Sequence, residues 1–138
     1  MKKRRLMIDT NAYSALMSGH YGVIAALNDA MEVLVPIAVL GELHDGFRGG
    51  TKMEENLKIL KSFLAKPSVK VVDATQATAE CYGEIKSTLS KSGHPVPIND
   101  IWIAAQALER NADILTFDHH FHFMEICGVR TMEIHPEK

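Results

Sequence analysis

Short apolar runs alternate along this chain with longer stretches of helical periodicity. Residues 5–8 (RLMI) predict a strand, residues 11–18 a helix stopped near Gly19, and "YGVIAALNDA" (21–30) a second helix. "VLVP" (33–36) reads as another strand. Pro36 suits the start of a helix over 37–47, whose apolar residues fall at 37, 40, 43 and 47. "FRGGTK" breaks that helix, and 52–65 resumes helical spacing with Met53, Leu57, Leu60 and Leu64. "SVKVVD" (68–73) predicts a strand and 75–92 a long helix ended by Gly93. The two prolines of "HPVPIND" (94–100) predict a loop, with Asn99 capping the helix "DIWIAAQALER" (100–110) that Asn111 closes. "DILTFD" (113–118) is a strand, and "VRTMEI" (129–134) a last, edge strand. Strands alternating with helices predict an α/β fold, three layers α/β/α around a mainly parallel sheet. No repeat, low-complexity segment or linker divides the chain, so one domain is expected.

Composition changes this picture little. The 138 residues are 46% hydrophobic and 23% charged, an ordinary globular balance with room for a real core. No apolar run approaches the roughly 20 residues of a membrane span. The basic start "MKKRRLMIDT" carries an apolar run far short of the roughly 7–15 residues of a signal-peptide core, so a cytoplasmic protein is expected. Cys81 and Cys127 form no CxxC motif and read as small core residues. The net charge of −2 excludes an overall basic field. It does not decide the partner, because carboxylates committed to cations would leave the remaining surface net positive.

The chemistry lies in the acids. "MIDTN" and "LTFDHH" are one device used twice, an apolar strand delivering Asp9 and Asp118 to one edge of the sheet. That edge, outside the carboxyl ends of parallel strands, is where such folds bind ligands. A single Asp in this place is most simply a helix N-cap; a second one points to a site. Asp100 stands in the first turn of a largely apolar helix, where the helix dipole alone would also favour an acid. Glu42 lies well away from the side marked by Ile37, Leu40, Leu43 and Phe47, so the helical wheel predicts it exposed, although Ala38 and Gly46 beside it permit close approach. Carboxylates brought together repel unless cations intervene, and hard oxygen ligands suit Mg²⁺. Such a cluster points to metal-dependent phosphodiester hydrolysis. No nucleophile–His pair supports acyl transfer.

Four motifs carry a resemblance over nearly the whole chain, from Leu6 to about Glu133. "LMIDTNAYSAL", "PIAVLGELHDGF", "INDIWIAAQAL" and "ADILTFDHHF" resemble, in order and spacing, those of the PIN-domain ribonucleases, most closely the VapC toxins of prokaryotic toxin–antitoxin pairs. The resemblance places the family acids on Asp9, Glu42, Asp100 and Asp118, and so overrides the wheel at Glu42. It implies one PIN-like nuclease domain over 1–138, acting as a Mg²⁺- or Mn²⁺-dependent endoribonuclease on structured RNA such as tRNA. In-line attack would leave a 5′-phosphate and a 3′-hydroxyl. Asp9 and Asp100 would be the main metal ligands, with Glu42 and Asp118 completing the pocket directly or through water. Asn11 and Thr116 would orient those carboxylates or the attacking water. The implied partners are RNA, a second copy of the chain, and a small antitoxin whose C-terminal segment blocks the pocket.

The remaining signals are local. His119, His120 and His122 beside Asp118 are types that suit Zn²⁺ or Ni²⁺, but a surface turn with one packed His is the simpler expectation. Arg48 and Lys52, after the helix bearing Glu42, are candidates for RNA phosphates; the basic run Lys2, Lys3, Arg4 and Arg5 reads rather as a solvated tail. Tyr13, Trp102 and Phe117 could stack on bases, with core packing the safer reading for Trp102. Rival phosphotransfer folds fit poorly. A phosphatase of that kind needs a second Asp where this chain has Asn11, and a receiver domain needs an acidic pair and a late strand-end Lys. A non-catalytic PIN-like binding module would be expected to have lost pocket acids, and all four are present.

Overall fold

Leu6, Met7 and Ile8 are consecutive residues of strand β1 (Arg5–Ile8), and all are at most 1% exposed. Neighbouring side chains of a strand point to opposite faces, so both faces of the sheet are covered here, as the three-layer expectation requires. The computed structural model describes residues 4–135. Within them five strands form one sheet in the order β3-β2-β1-β4-β5, every neighbouring pair parallel. The others are β2 (Glu32–Pro36), β3 (Val69–Val72), β4 (Asp113–Thr116) and β5 (Arg130–Glu133). β5 is an edge strand, as its sequence suggested.

The chain reaches β2 through α1 (Thr10–Met17) and α2 (Tyr21–Asp29), then β3 through α3 (Ile37–Arg48) and α4 (Met53–Leu64). α5 (Gln76–Ser92) and α6 (Ile98–Arg110) carry it back across β2 and β1 to β4. Connections therefore leave β1 on one side and return to β4 on the other, and the crevice between the carboxyl ends of β1 and β4 is the topological switch point. A 3₁₀ helix (His119–Cys127) joins β4 to β5.

Local signals account for most boundaries. Thr75 caps α5 through a reciprocal box with Thr78, and Gly93 ends it in the left-handed region at φ 73°. α6 departs from expectation by starting two residues early. Pro97 is its N-cap, and Asn99 lies inside the first turn, where the fixed φ of a proline already sets the helix entry. The 3₁₀ helix after β4 was expected only as a turn. It is held by Phe121 and Met124, both fully buried, at the i, i+3 spacing that shares one face of a 3₁₀ helix. Among the described residues no helix is long and apolar enough to cross a membrane.

Candidate active site

Asp9 follows β1 directly and is only 6% exposed. Its Oδ1 accepts the backbone N–H of Ala12 at 2.8 Å, so it does cap α1. Its Oδ2 accepts the hydroxyl of Thr116, at the end of β4, at 2.5 Å. The registers Ile8↔Leu115 and Met7↔Ile114 set these two strand ends side by side. The Thr116 hydroxyl in turn accepts the backbone N–H of Asp118 at 2.9 Å, and Asp118 Oδ1 accepts that of His120 at 2.9 Å. A buried threonine thus fixes one strand-end acid and the backbone of the other.

Asp100 reaches the same place from the first turn of α6. Burial pushes its carboxyl up to about 6, the charge of Asp118 adds to this, and the neighbouring His120 opposes it. Asp9 is also raised, chiefly by burial, against the lowering effect of the hydrogen bonds from Thr116 and Ala12. Both acids therefore hold their charge at a cost that a cation would remove.

Glu42 arrives from the middle of α3. It is half-buried, and its Oε1 accepts the hydroxyl of Thr10 at 2.8 Å. The exposed position expected from the wheel is wrong for a definable reason. α3 buries Val39 and Leu43 while Ile37 is 46% exposed, so the true buried direction is displaced from the apolar average and Glu42 lies only about 80° from it at 100° per residue.

Asp9, Thr10, Asn11, Glu42, Asp100, Ile103 and Asp118 line one open cavity of about 140 Å³. All four predicted acids meet there. Asn11 is exposed at its mouth, and Thr116 lies behind Asp9 and fully buried. His120 Nδ1 stands 3.0 Å from Asp118 Oδ1 and 3.5 Å from Asp100 Oδ2, close to both carboxylates without hydrogen-bond alignment. Asp100, Asp118 and His120 form a tight group of potential metal donors, within 4.8 Å of one another. Asp9 stands outside that group, with both oxygens already hydrogen-bonded, although each keeps a lone pair. Sequence reasoning missed the anchoring role of Thr10 and the inward direction of His120.

The basic residues are not at the pocket. Arg48 and Lys52 are exposed and outside its lining. Arg4 pairs with Asp113 at 3.5 Å and Arg5 with Glu32 at 3.2 Å, at the opposite end of β1 from Asp9; Lys2 and Lys3 lie outside the described residues. Tyr13 is 2% exposed and packs edge-on against Phe63, which removes it as a base-stacking residue. Trp102 stacks on Tyr82, and Phe117 meets His20 edge-on. A larger apolar groove of about 550 Å³, lined by residues such as Leu16, Ile24, Leu27 and Phe63, opens at the amino ends of β2 and β3 and brings no acids together.

The PIN domain family profile matches residues 6–125, which span all four acids. The chain belongs to the PIN domain family. Among curated relatives, Ribonuclease VapC1 of Haemophilus influenzae is 29% identical over 114 residues, covering 80% of this chain and 84% of its own. Ribonuclease VapC5 of Mycobacterium tuberculosis is 26% identical over 128 residues, covering 93% and 92%. Among solved structures, VapBC2 from Rickettsia felis bound to a DNA fragment from its promoter superposes with a TM-score of 0.83 at 23% identity, covering 95% of this chain and 99% of the other. VapBC-1 from nontypeable Haemophilus influenzae does so with 0.79 at 26%, covering 94% and 97%. The fold of this PIN domain is therefore the α/β fold expected from its sequence.

Proposed function

We propose that this PIN domain is a divalent-metal-dependent endoribonuclease, a single nuclease domain acting in the cytoplasm as the toxin of a toxin–antitoxin pair. The observation that carries the reading is the meeting of Asp9, Glu42, Asp100 and Asp118 around one open cavity at the switch point of the sheet. Its relatives named as VapC ribonucleases support the reaction class, and solved VapBC complexes support a protein antagonist.

The residues fit a hard cation. The donors are carboxylates, and two of them have pKa values raised by burial, an electrostatic deficit that a positive ion removes. A bound Mg²⁺ or Mn²⁺ would supply charge stabilisation at a phosphoryl oxygen and an acidified water. Asp9 and Asp100 would hold it, with Glu42 and Asp118 completing the pocket. The chain's own residues do the positioning. Thr116 and the Ala12 N–H fix Asp9, Thr10 fixes Glu42, and the His120 ring stands within 3.5 Å of carboxylate oxygens of both Asp100 and Asp118. Asn11 at the mouth can donate a hydrogen bond to RNA or to the attacking water. The open cavity admits a strand of structured RNA such as tRNA, with Arg48 and Lys52 meeting phosphates farther along.

The test incubates purified, partner-free protein with total tRNA in Mg²⁺, Mn²⁺ and EDTA arms beside an Asp100→Asn control. Discrete EDTA-sensitive fragments absent from the control are expected. Absence of cleavage together with binding of labelled tRNA would instead favour a non-catalytic module. The proposed partners are a homodimeric second copy and a small antitoxin whose C-terminal segment blocks the pocket. Light scattering at micromolar concentration checks the first: a monomer refutes it.

A further inference from the structure

Beside the acidic pocket, but outside it, a second group of ligating side chains converges. His119 and His122 sit three residues apart on the 3₁₀ helix, the spacing that places side chains on one face, and their rings stack with centroids 5.9 Å apart. Gly128, at φ 94°, turns the chain out of that helix and back into β5. The register Thr116↔Glu133 then delivers Glu133 to the same face. His119 Nδ1 lies 3.0 Å from Glu133 Oε1, and His122 Nε2 lies 3.0 Å from Glu133 Oε2. The donor atoms of the three residues lie within 4.8 Å of one another.

From this geometry we infer that His119, His122 and Glu133 form a binding site for a transition-metal cation of the Zn²⁺ class, separate from the acidic pocket. Three arguments carry it. The donor set, two imidazoles and one carboxylate, suits Zn²⁺ and its neighbours and is poor for Mg²⁺. The two 3.0 Å donor separations, one to each oxygen of Glu133, are a few tenths of an ångström short of the roughly 3.3–3.6 Å between tetrahedral ligands bonded at roughly 2.0–2.2 Å, so small side-chain shifts would admit an ion. The side chain of His119 is 78% exposed, so its ring can turn to close the remaining distance without disturbing the core.

A further argument comes from the group behind His122. His122 Nδ1 lies 2.6 Å from Glu125 Oε1. That contact holds a ring proton on Nδ1, so an ion that displaces the Nε2 proton shared with Glu133 would find the Nε2 lone pair already aimed at the carboxylate. A carboxylate behind a ligating imidazole is the usual outer partner of a metal-bound histidine. A bound ion would clip the 3₁₀ helix to the edge strand. The same helix carries His120, and its N-cap is Asp118, so the clip braces one wall of the acidic pocket without touching it.

The alternative is a metal-free network in which a doubly protonated His122 bridges Glu125 and Glu133. Titration of untagged protein with Zn²⁺ in excess Mg²⁺, read by calorimetry and by the visible spectrum of a Co²⁺ replacement, separates the two. One equivalent of Zn²⁺ should bind with a Kd below about 10 µM. Binding should persist in Asp9→Asn/Asp100→Asn. Glu125→Gln should weaken it about 10–100-fold, and His122→Gln should weaken it more. Because Glu125 is exposed and on the surface, its variant should keep the wild-type far-UV spectrum even if His122→Gln does not. No binding at that concentration overturns the inference. So does Zn²⁺ binding that survives His122→Gln and Glu125→Gln but is lost in Asp9→Asn/Asp100→Asn, which would place the ion in the acidic pocket.

Discussion

The hydroxyl of Thr116 donates to Asp9 Oδ2 at 2.5 Å across the gap between β4 and β1. Both residues are buried, so this bond is shielded from water, and it fixes the carboxylate at the switch point of the sheet. Replacing Thr116 by Val keeps the shape and removes the donor. Asp9 would then carry an unsatisfied buried oxygen, at about 1–3 kcal/mol. RNA cleavage should fall about 10–100-fold, as when outer-sphere partners of metal ligands are removed. Thr116→Ser should restore most of it. Equal loss in the Ser and Val variants, measured as initial cleavage rates, would assign Thr116 to packing alone.

Glu42 offers a cleaner separation of charge from hydrogen bonding. Its Oε1 accepts from Thr10, and a glutamine amide oxygen can accept the same bond. Glu42→Gln should therefore leave the melting temperature near that of the wild type while reducing cleavage at least about 10-fold. Thr10→Val should have the smaller effect, because the carboxylate stays and only its anchor goes. Full activity in Glu42→Gln would remove this residue from the pocket.

How much of this was readable beforehand depends on what each residue relies on. Asp9 and Asp118 are legible because a buried parallel strand has to end at one edge, and an acid there follows an unbroken apolar run. The sheet order required the structure, since nothing local in β3 or β4 says that the chain crosses back over β1. Glu42 was hidden from periodicity because α3 packs Val39 and Leu43 inward while leaving Ile37 exposed, so an average over apolar positions points the wrong way. His119, His120 and His122 are adjacent in sequence but diverge in space. Only the 3₁₀ geometry sends His120 toward Asp100 while its neighbours meet Glu133.

Arg48 and Lys52 lie outside the acidic pocket, so their contribution is to phosphates at a distance from the chemistry. Each phosphate contact adds about 0.7–0.9 to the magnitude of the slope of log affinity against log salt, the lower figure for single strands and the higher for duplex. Arg48→Ala and Lys52→Ala should each lower tRNA affinity and flatten that slope by about this amount, with the cleavage pattern unchanged. Unaltered slopes in filter binding across a salt series would leave both residues without an RNA contact.

Asp100 links the site to stability. Its folded pKa is raised to about 6 from an ordinary 3.8, mainly by burial and then by the charge of Asp118. Between those two values the folded protein keeps a proton that the unfolded chain has released. Stability of the metal-free protein must then fall as pH rises through that window, and the loss is complete above the folded pKa. At about 1.4 kcal/mol per pKa unit the effect is on the order of 2–3 kcal/mol. Asp9, raised in the same direction, adds to the slope, so Asp100→Asn should flatten it only in part while making the metal-free protein more stable at pH 7.5. A divalent cation that binds the ionised pair should raise stability of the wild type at pH 7.5 and do little for the variant. Denaturant melts at pH 4.5 and 7.5, with and without Mg²⁺, decide the matter: a variant with the wild-type pH slope would mean that Asp100 does not carry the charge penalty.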